Sequence, residues 1–142
     1  LLKLHMRYLV MIDVSNRVLS NIKKTISASC ENVVNDSSVT PAGFPAVSVE
    51  QIDNPDVAVD LENSENAVRS IIEIRSYSNE SLSESKSLIN KCSDAMRIMG
   101  YERDYGPKKV DNVSDKNIYR MVARFRRIVS SVDEIEKFNL GA

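Results

Sequence analysis

The chain has 142 residues, 42% of them hydrophobic and 27% charged, and its formal net charge is −1. This length suits one domain with a core that needs no disulfide or metal support. The near-neutral charge and the absence of tryptophan argue against a whole-surface nucleic-acid binder and against an aromatic platform for single strands. The two cysteines, Cys30 and Cys92, follow no metal-ligand or redox spacing, which is typical of an intracellular protein with reduced thiols.

Residues 1–10 are expected to be an N-terminal extension, because Met6 and Met11 can each start translation. The apolar run after Arg7 ends at Asp13, which is too short for a signal-peptide core of about 7–15 residues. No apolar run approaches the roughly 20 residues that cross a bilayer. We therefore predict neither a targeting segment nor a membrane partner.

Between Asp13 and Ser29 the apolar residues recur at intervals of three and four, which predicts a helix with one apolar face. Asp13 or Ser15 can cap its start. Residues 44–52 alternate and predict a strand. Residues 53–67 carry five acidic side chains and no basic one, so we predict a long, exposed acidic loop there.

Alternation predicts three further strands, at residues 68–78, 101–105 and 119–129. Residues 82–99 carry an apolar stripe at helical spacing, on which Cys92 is expected as a small buried hydrophobe. Gly100 stands where a left-handed helix cap belongs. The sequence thus predicts an α+β domain over residues 11–130, with a mostly antiparallel four-stranded sheet and two helices packed on one face. Residues 131–142 are expected to form a flexible tail.

The sequence offers little for catalysis. The single histidine, His5, lies in the expected extension, so no histidine-assisted nucleophile can form within the domain. The four glycines are scattered and form no phosphate-binding loop. The acidic segment lacks the ligand spacing and the central glycine of a calcium loop. We expect no enzyme, no catalytic residue, no cofactor and no metal site.

The last predicted strand places three arginines on one face: Arg120, Arg124 and Arg126. Three interpretations are open. The guanidinium groups can grip phosphates, with which arginine pairs bidentately. They can form a solvated face or pair with Glu73 and Glu102 on neighbouring strands. They can also contact the acidic segment of another copy and fix the register of a head-to-tail ring. The predicted subunit contact joins Arg120, Arg124 and Arg126 of one copy to Asp56, Asp60 and Glu62 of the next.

A series of segments resembles one protein family. They are Phe44-Pro45-Ala46-Val47, Tyr77-Ser78-Asn79, Asp94-Ala95-Met96, Met99-Gly100-Tyr101-Glu102-Arg103, Pro107 and Asp115-Lys116-Asn117-Ile118-Tyr119-Arg120-Met121-Val122-Ala123-Arg124-Phe125. In this order the segments are similar to those of the tail-terminator, or tail-completion, proteins of long-tailed bacteriophages and prophages of Gram-positive bacteria. The resemblance covers about residues 11–129. No single motif is diagnostic, and the specificity lies in the order of the segments.

The resemblance implies a similar α+β fold and a structural role. Such proteins form a hexameric ring that caps the growing tail tube, stops its polymerisation and offers a surface to the head connector. The implied partners are other copies of the chain, the tail tube protein and the head-connector protein, with DNA passing through the ring without specific contact. The implied location is the head-proximal end of the virion tail, after assembly in the host cytoplasm.

The resemblance brings no catalytic residues, and no interface residue is transferred from it. Two alternatives remain beside it. One is a neck adaptor, or head-closure protein, that joins head and tail. The other is a small nucleic-acid-binding module that uses the arginine stripe of the last strand.

Overall fold

The computed structural model describes residues 11–36, 43–59, 65–110, 117–131 and 135. The predicted class is confirmed, since these residues form an α+β fold with a mostly antiparallel sheet. The described elements, in chain order, are α1 (Ser15–Ile26), β1 (Asn32–Val34), β2 (Ala46–Asp53), β3 (Asp56–Val59), β4 (Glu65–Ser78), α2 (Leu82–Ile98), β5 (Glu102–Val110) and β6 (Tyr119–Val129). The expected extension at residues 1–10, and the expected tail apart from Ser131 and Ile135, lie outside the described residues.

The sheet is organised around β4, which has 14 residues and is the longest strand described. The strand order is β1-β2-β4-β6-β5, and β3 pairs with β4 outside this path. β6 runs antiparallel along one edge of β4, while β2 and β3 share the other edge. β1 and β2 form the single parallel pair among the described strands.

The prediction of four strands was too low, because the described residues form six. β1 has three residues, too few to show an alternating pattern. β3 lies within the segment expected to be an acidic loop, where it pairs with the first residues of β4. β3 has the sequence Asp-Val-Ala-Val, so only one of its four residues is acidic, and it is too short to stand out within the acidic segment.

The strand predicted at residues 101–105 corresponds to β5. Its predicted end was wrong, since β5 continues through Gly106 to Val110. Gly106 has a φ of +75°, and a Cβ at this position would collide with the carbonyl oxygen of Val122 on β6. Glycine therefore allows β5 to stay close to β6 across an irregularity in their register.

The two described helices begin differently: α2 is capped by the Ser81 side chain, whereas the N-cap residue of α1 is Val14, which makes no side-chain cap bond, and Asp13 lies just before it. Asp13 Oδ1 accepts from Ser15 N at 2.9 Å, and Ser81 Oγ accepts from Glu84 N at 3.1 Å. At the end of α2, Gly100 has a φ of 85°, which confirms the predicted left-handed cap. The caps at Ser81 and Gly100 fix where α2 begins and ends, so its apolar stripe stays in phase with the sheet.

The helices and one face of the sheet enclose the core. Its largest fully buried side chains include Phe125 and Ile72 from neighbouring strands and Ile22, Ile89 and Met96 from the helices. The core also contains Ile135, which is 1% exposed, and Cys92, which is 0% exposed as predicted. Burial raises the pKa of the Cys92 thiol to about 12, so this cysteine remains protonated at neutral pH.

A chain of hydrogen bonds connects the polar groups at one end of the core. Tyr101 Oη donates to Ser70 Oγ at 2.7 Å, and Ser70 Oγ donates to Gln51 Oε1 at 2.8 Å. Gln51 Nε2 then donates to Asp13 Oδ1 at 3.2 Å. Burial raises the pKa of Tyr101 to about 12, so its hydroxyl stays a donor at neutral pH. This series of hydrogen bonds links the start of α1 to the residues that follow α2.

We predict that Ile72→Ala destabilises the fold by about 2–5 kcal/mol, because Ile72 is fully buried between the sheet and the helices. The matched control is Ile128→Ala, which removes the same side chain at a position that is 57% exposed. This control should change stability by less than about 0.5 kcal/mol. Urea unfolding of both variants measures the difference, and equal losses would contradict the placement of the core.

Candidate interaction surface

The face of the sheet that points away from the helices carries most of its charged side chains. Neighbouring residues on β4 and β6 pair directly across the sheet, including Glu73 with Arg124 and Tyr77 with Arg120. Since Ile72 and Ile74 lie in the core, alternation places Glu73 on the opposite face. We call this the charged face, and its members are Glu73, Arg75, Arg120, Arg124 and Arg126.

Glu73 is the centre of the charged face and is 6% exposed. Its two carboxylate oxygens each accept one hydrogen bond, from Arg75 Nε and from Arg124 Nε, both at 2.8 Å. Burial by itself would raise the pKa of Glu73, but the hydrogen bonds and charges of the two arginines outweigh it and lower the pKa below 4.5. The carboxylate therefore holds both guanidinium groups in place at neutral pH.

Two arginines of the charged face also lie over tyrosine rings. The guanidinium carbon of Arg124 is 5.0 Å from the ring centre of Tyr105, and that of Arg120 is 5.4 Å from the ring centre of Tyr77. Such cation–π contacts contribute about 0.5–1 kcal/mol at exposed sites. Arg124 is thus held within its own chain by both Glu73 and Tyr105, whereas Arg120 contacts the Tyr77 ring and its Nε is buried without a hydrogen-bond partner.

Arg126 has weaker attachments than Arg124. Its Nε lies 3.9 Å from a carboxylate oxygen of Glu102 and 3.9 Å from one of Asp104, and its side chain is 52% exposed. Exposed ion pairs of this length stabilise a fold by about 0–1 kcal/mol. The interpretation that the arginines pair with Glu73 and Glu102 within the chain is therefore confirmed for Arg124 and Arg126. Arg126 has the weaker ion pairs of the two and is the one more easily bound by a partner.

Of the three acidic residues in the predicted subunit contact, the structure describes one, Asp56. Asp56 is the first residue of β3 and is exposed. Asp60 and Glu62 lie outside the described residues. Asp56 and Arg126 occupy opposite sides of β4, so this chain does not bring them together, and their contact between copies stays a prediction.

A concavity of about 390 Å³ lies where α2 ends beside β6. Its lining combines three arginines with a carboxylate, a glycine and an exposed isoleucine: Arg69, Arg126, Arg127, Glu102, Gly100 and Ile128. Arg127 Nη1 donates to the Met99 carbonyl at 2.9 Å, which holds its guanidinium at the end of the helix. The concavity is thus a basic site with one apolar wall, suited to a carboxylate-bearing segment.

Sequence reasoning did not assign Arg69 or Ile128 to a surface. Alternation places Ile128 outward together with Arg126, and the cross-strand register places Arg69 opposite Ile128. The exposure of Ile128 arises because β5 begins at Glu102, opposite Arg126, and covers no later residue of β6. A strand boundary therefore decides this surface, and strand boundaries leave a weak signal in a single sequence.

The described residues contain no cluster of three or more histidine, cysteine, aspartate or glutamate side chains that would hold a metal ion. Cys30 and Cys92 are free thiols and both are buried. The arrangement can form ion pairs and strand contacts with a partner. His5 lies outside the described residues.

We predict that the Glu73 carboxylate stabilises the fold above the ordinary glutamate pKa of 4.5, because its pKa in the fold is lower. This contribution should be lost as the pH falls through the lowered pKa, since protonation weakens both arginine contacts. In Glu73→Gln the contribution should be missing at neutral pH, and the loss of stability below pH 4.5 should be smaller than in the parent chain. Urea unfolding from pH 7 to pH 3 tests this, and parallel pH profiles would contradict it.

No helix of the described part is both long and apolar enough to cross a membrane. No protein-family model matches the chain, and no curated protein is similar to it at a significant level. The functional proposal therefore depends on the residues of this chain, on their arrangement in the sheet and on the resemblance given above.

Proposed function

We propose that the chain is a bacteriophage tail terminator, which caps the tail tube as a ring, stops tube polymerisation and provides the attachment surface for the head connector. The observation that supports this most is the placement of the segments that carry the family resemblance. Ala46 pairs with Tyr77, Tyr77 pairs with Arg120, and Arg103 pairs with Phe125. Segments far apart in the sequence are thus neighbours in one sheet.

The charged face also favours an assembly role over a nucleic-acid module. Arg124 is already paired with Glu73, and the carboxylates of Glu102 and Asp104 flank Arg126. These acids would repel a phosphodiester backbone, and the net charge of −1 gives no overall attraction to DNA. Ion pairs that fix arginine positions are instead suited to a protein contact that needs a defined register.

In this role the copies form a homo-hexameric ring at the head-proximal end of the virion tail, after assembly in the host cytoplasm. One side of the ring contacts the tail tube protein and the other contacts the head-connector protein. DNA passes through the ring without specific recognition. The contact between copies joins arginines of β6 to the acidic segment that contains β3.

The test of the function is negative-stain electron microscopy of particles made without this gene. A chain that stops tube polymerisation should leave tails of uncontrolled, excessive length when it is missing. Restoring the gene on a plasmid should return tails to a uniform length, which is the control. Tails of normal length lying apart from filled heads would show a neck adaptor instead. Unaltered particles would reject both roles.

A further inference from the structure

The three outward arginines of β6 differ in what surrounds them within the chain. Arg124 is bonded to the buried carboxylate of Glu73, and two further carboxylates lie 3.9 Å from Arg126. None of the ion pairs among the described residues includes Arg120. Of the three guanidinium groups, that of Arg120 is therefore the one without a described acid of its own chain beside it.

The register of the sheet explains this difference. The residues directly across from Arg120 are Tyr77 on β4 and Val110 on β5. On the far side of Tyr77, the paired residue of β2 is Ala46. None of these side chains carries a charge at neutral pH, so the row of the sheet that contains Arg120 supplies no counter-charge.

The same end of the charged face carries a second cation. Lys108 on β5 is exposed and pairs with Val122, two residues after Arg120 on β6. Val122 lies between two core residues of β6, Met121 and Ala123. Alternation therefore directs Val122 and Lys108 outward, to the side of Arg120. We call Arg120 and Lys108 the basic end of the charged face.

The Arg120 guanidinium is well placed to bind a carboxylate. Its carbon lies 5.4 Å from the ring centre of Tyr77 and the residue is only partly exposed, so its position is restricted before a partner arrives. Its Nε is buried without an acceptor, so this donor has lost hydration without compensation. A carboxylate that bonds the Nη groups would form a charge-assisted pair, which partial burial strengthens.

The complementary charge lies at the opposite end of the sheet. Residues 53–67 contain five acidic residues and no basic one, and Asp56 at the start of β3 is exposed. Asp56 pairs with Val68, whereas Arg120 pairs with Tyr77, nine positions further along β4. Nine positions of an extended strand span roughly 30 Å. The two groups therefore cannot meet within one chain but can meet between two copies.

We propose that Arg120 of one copy binds Asp56 of the next copy, with Lys108 adding to the attraction. This contact joins opposite ends of the sheet, so it uses two different surfaces, and its repetition produces a ring when the rotation between copies closes. At Arg126 the two carboxylates already present would repel an incoming acid, whereas no described acid lies beside Arg120. The inference deepens the proposed function, on which the ring rests, by assigning the subunit contact to Arg120 among the arginines of β6.

Sedimentation velocity of single variants tests the contact. Arg120→Ala should weaken self-association about tenfold or more, since it removes a charge-assisted bond. Arg126→Ala is the matched control, because it removes the same side chain from the same face of the same strand, and it should associate like the parent chain. A parent chain that stays monomeric, or equal weakening by both variants, would overturn the proposal.

A charge exchange identifies the acid and shows that the variants fold. Arg120→Glu should prevent association, because it replaces attraction to Asp56 by repulsion. Adding Asp56→Arg to the same chain should restore association, which an unfolded variant could not do. The control adds Asp53→Arg instead, at another exposed acid of the same segment, and should not restore it. Equal restoration by both, or by neither, would contradict the pairing with Asp56.

These outcomes separate the contact from the role. If particles without the gene have overlong tails but Arg120→Ala associates normally, the terminator role stands and this contact is wrong. If Arg120→Ala loses association but particles without the gene are unaltered, the contact stands and the role is wrong. A monomeric parent chain that retards a DNA duplex in a gel, when Arg120→Ala does not, would assign the basic end to phosphate and reject the contact.

Discussion

The pairing of β4 with β6 is the constraint on which the rest of the structure depends. Eleven residue pairs, from Val68 with Val129 to Ser78 with Tyr119, fix the register of the two strands. A shift by one residue would move every side chain of a strand to the other face. The register therefore decides at once that Ile72 lies beside Phe125 in the core and that Glu73 lies beside Arg124 on the charged face.

The two faces of the sheet are stabilised by different interactions. On the helix side, aliphatic and aromatic side chains exclude water, and the hydrogen-bond chain from Tyr101 to Asp13 satisfies the polar groups at its end. On the charged face, Glu73 is buried only because two guanidinium groups compensate the loss of hydration. The arginines paired with Glu73 are thus part of the fold, whereas the side chains of Arg126 and Ile128 are 52% and 57% exposed.

Part of this arrangement follows from local sequence rules. Apolar spacing in the helices and alternation in β4 and β6 depend only on the geometry of each element, so they predict which side chains face the core. The caps at Ser81 and Gly100 follow from backbone chemistry within a few residues. β1 and β3 were missed because they have only three and four residues, too few for an alternating pattern to stand out. Their extended conformation comes from hydrogen bonds to β2 and β4.

The sequence by itself determined the fold class, the apolar stripe of each helix and the outward direction of the arginines on β6, because these depend on periodicity along one element. Only the tertiary structure decided which arginines are already paired, since Glu73 and Arg124 are 51 residues apart and meet through strand register. It also decided that β5 begins at Glu102, opposite Arg126, and hence that the Ile128 side chain is exposed. Strand register and strand ends depend on contacts between distant segments, and a single sequence does not encode them locally.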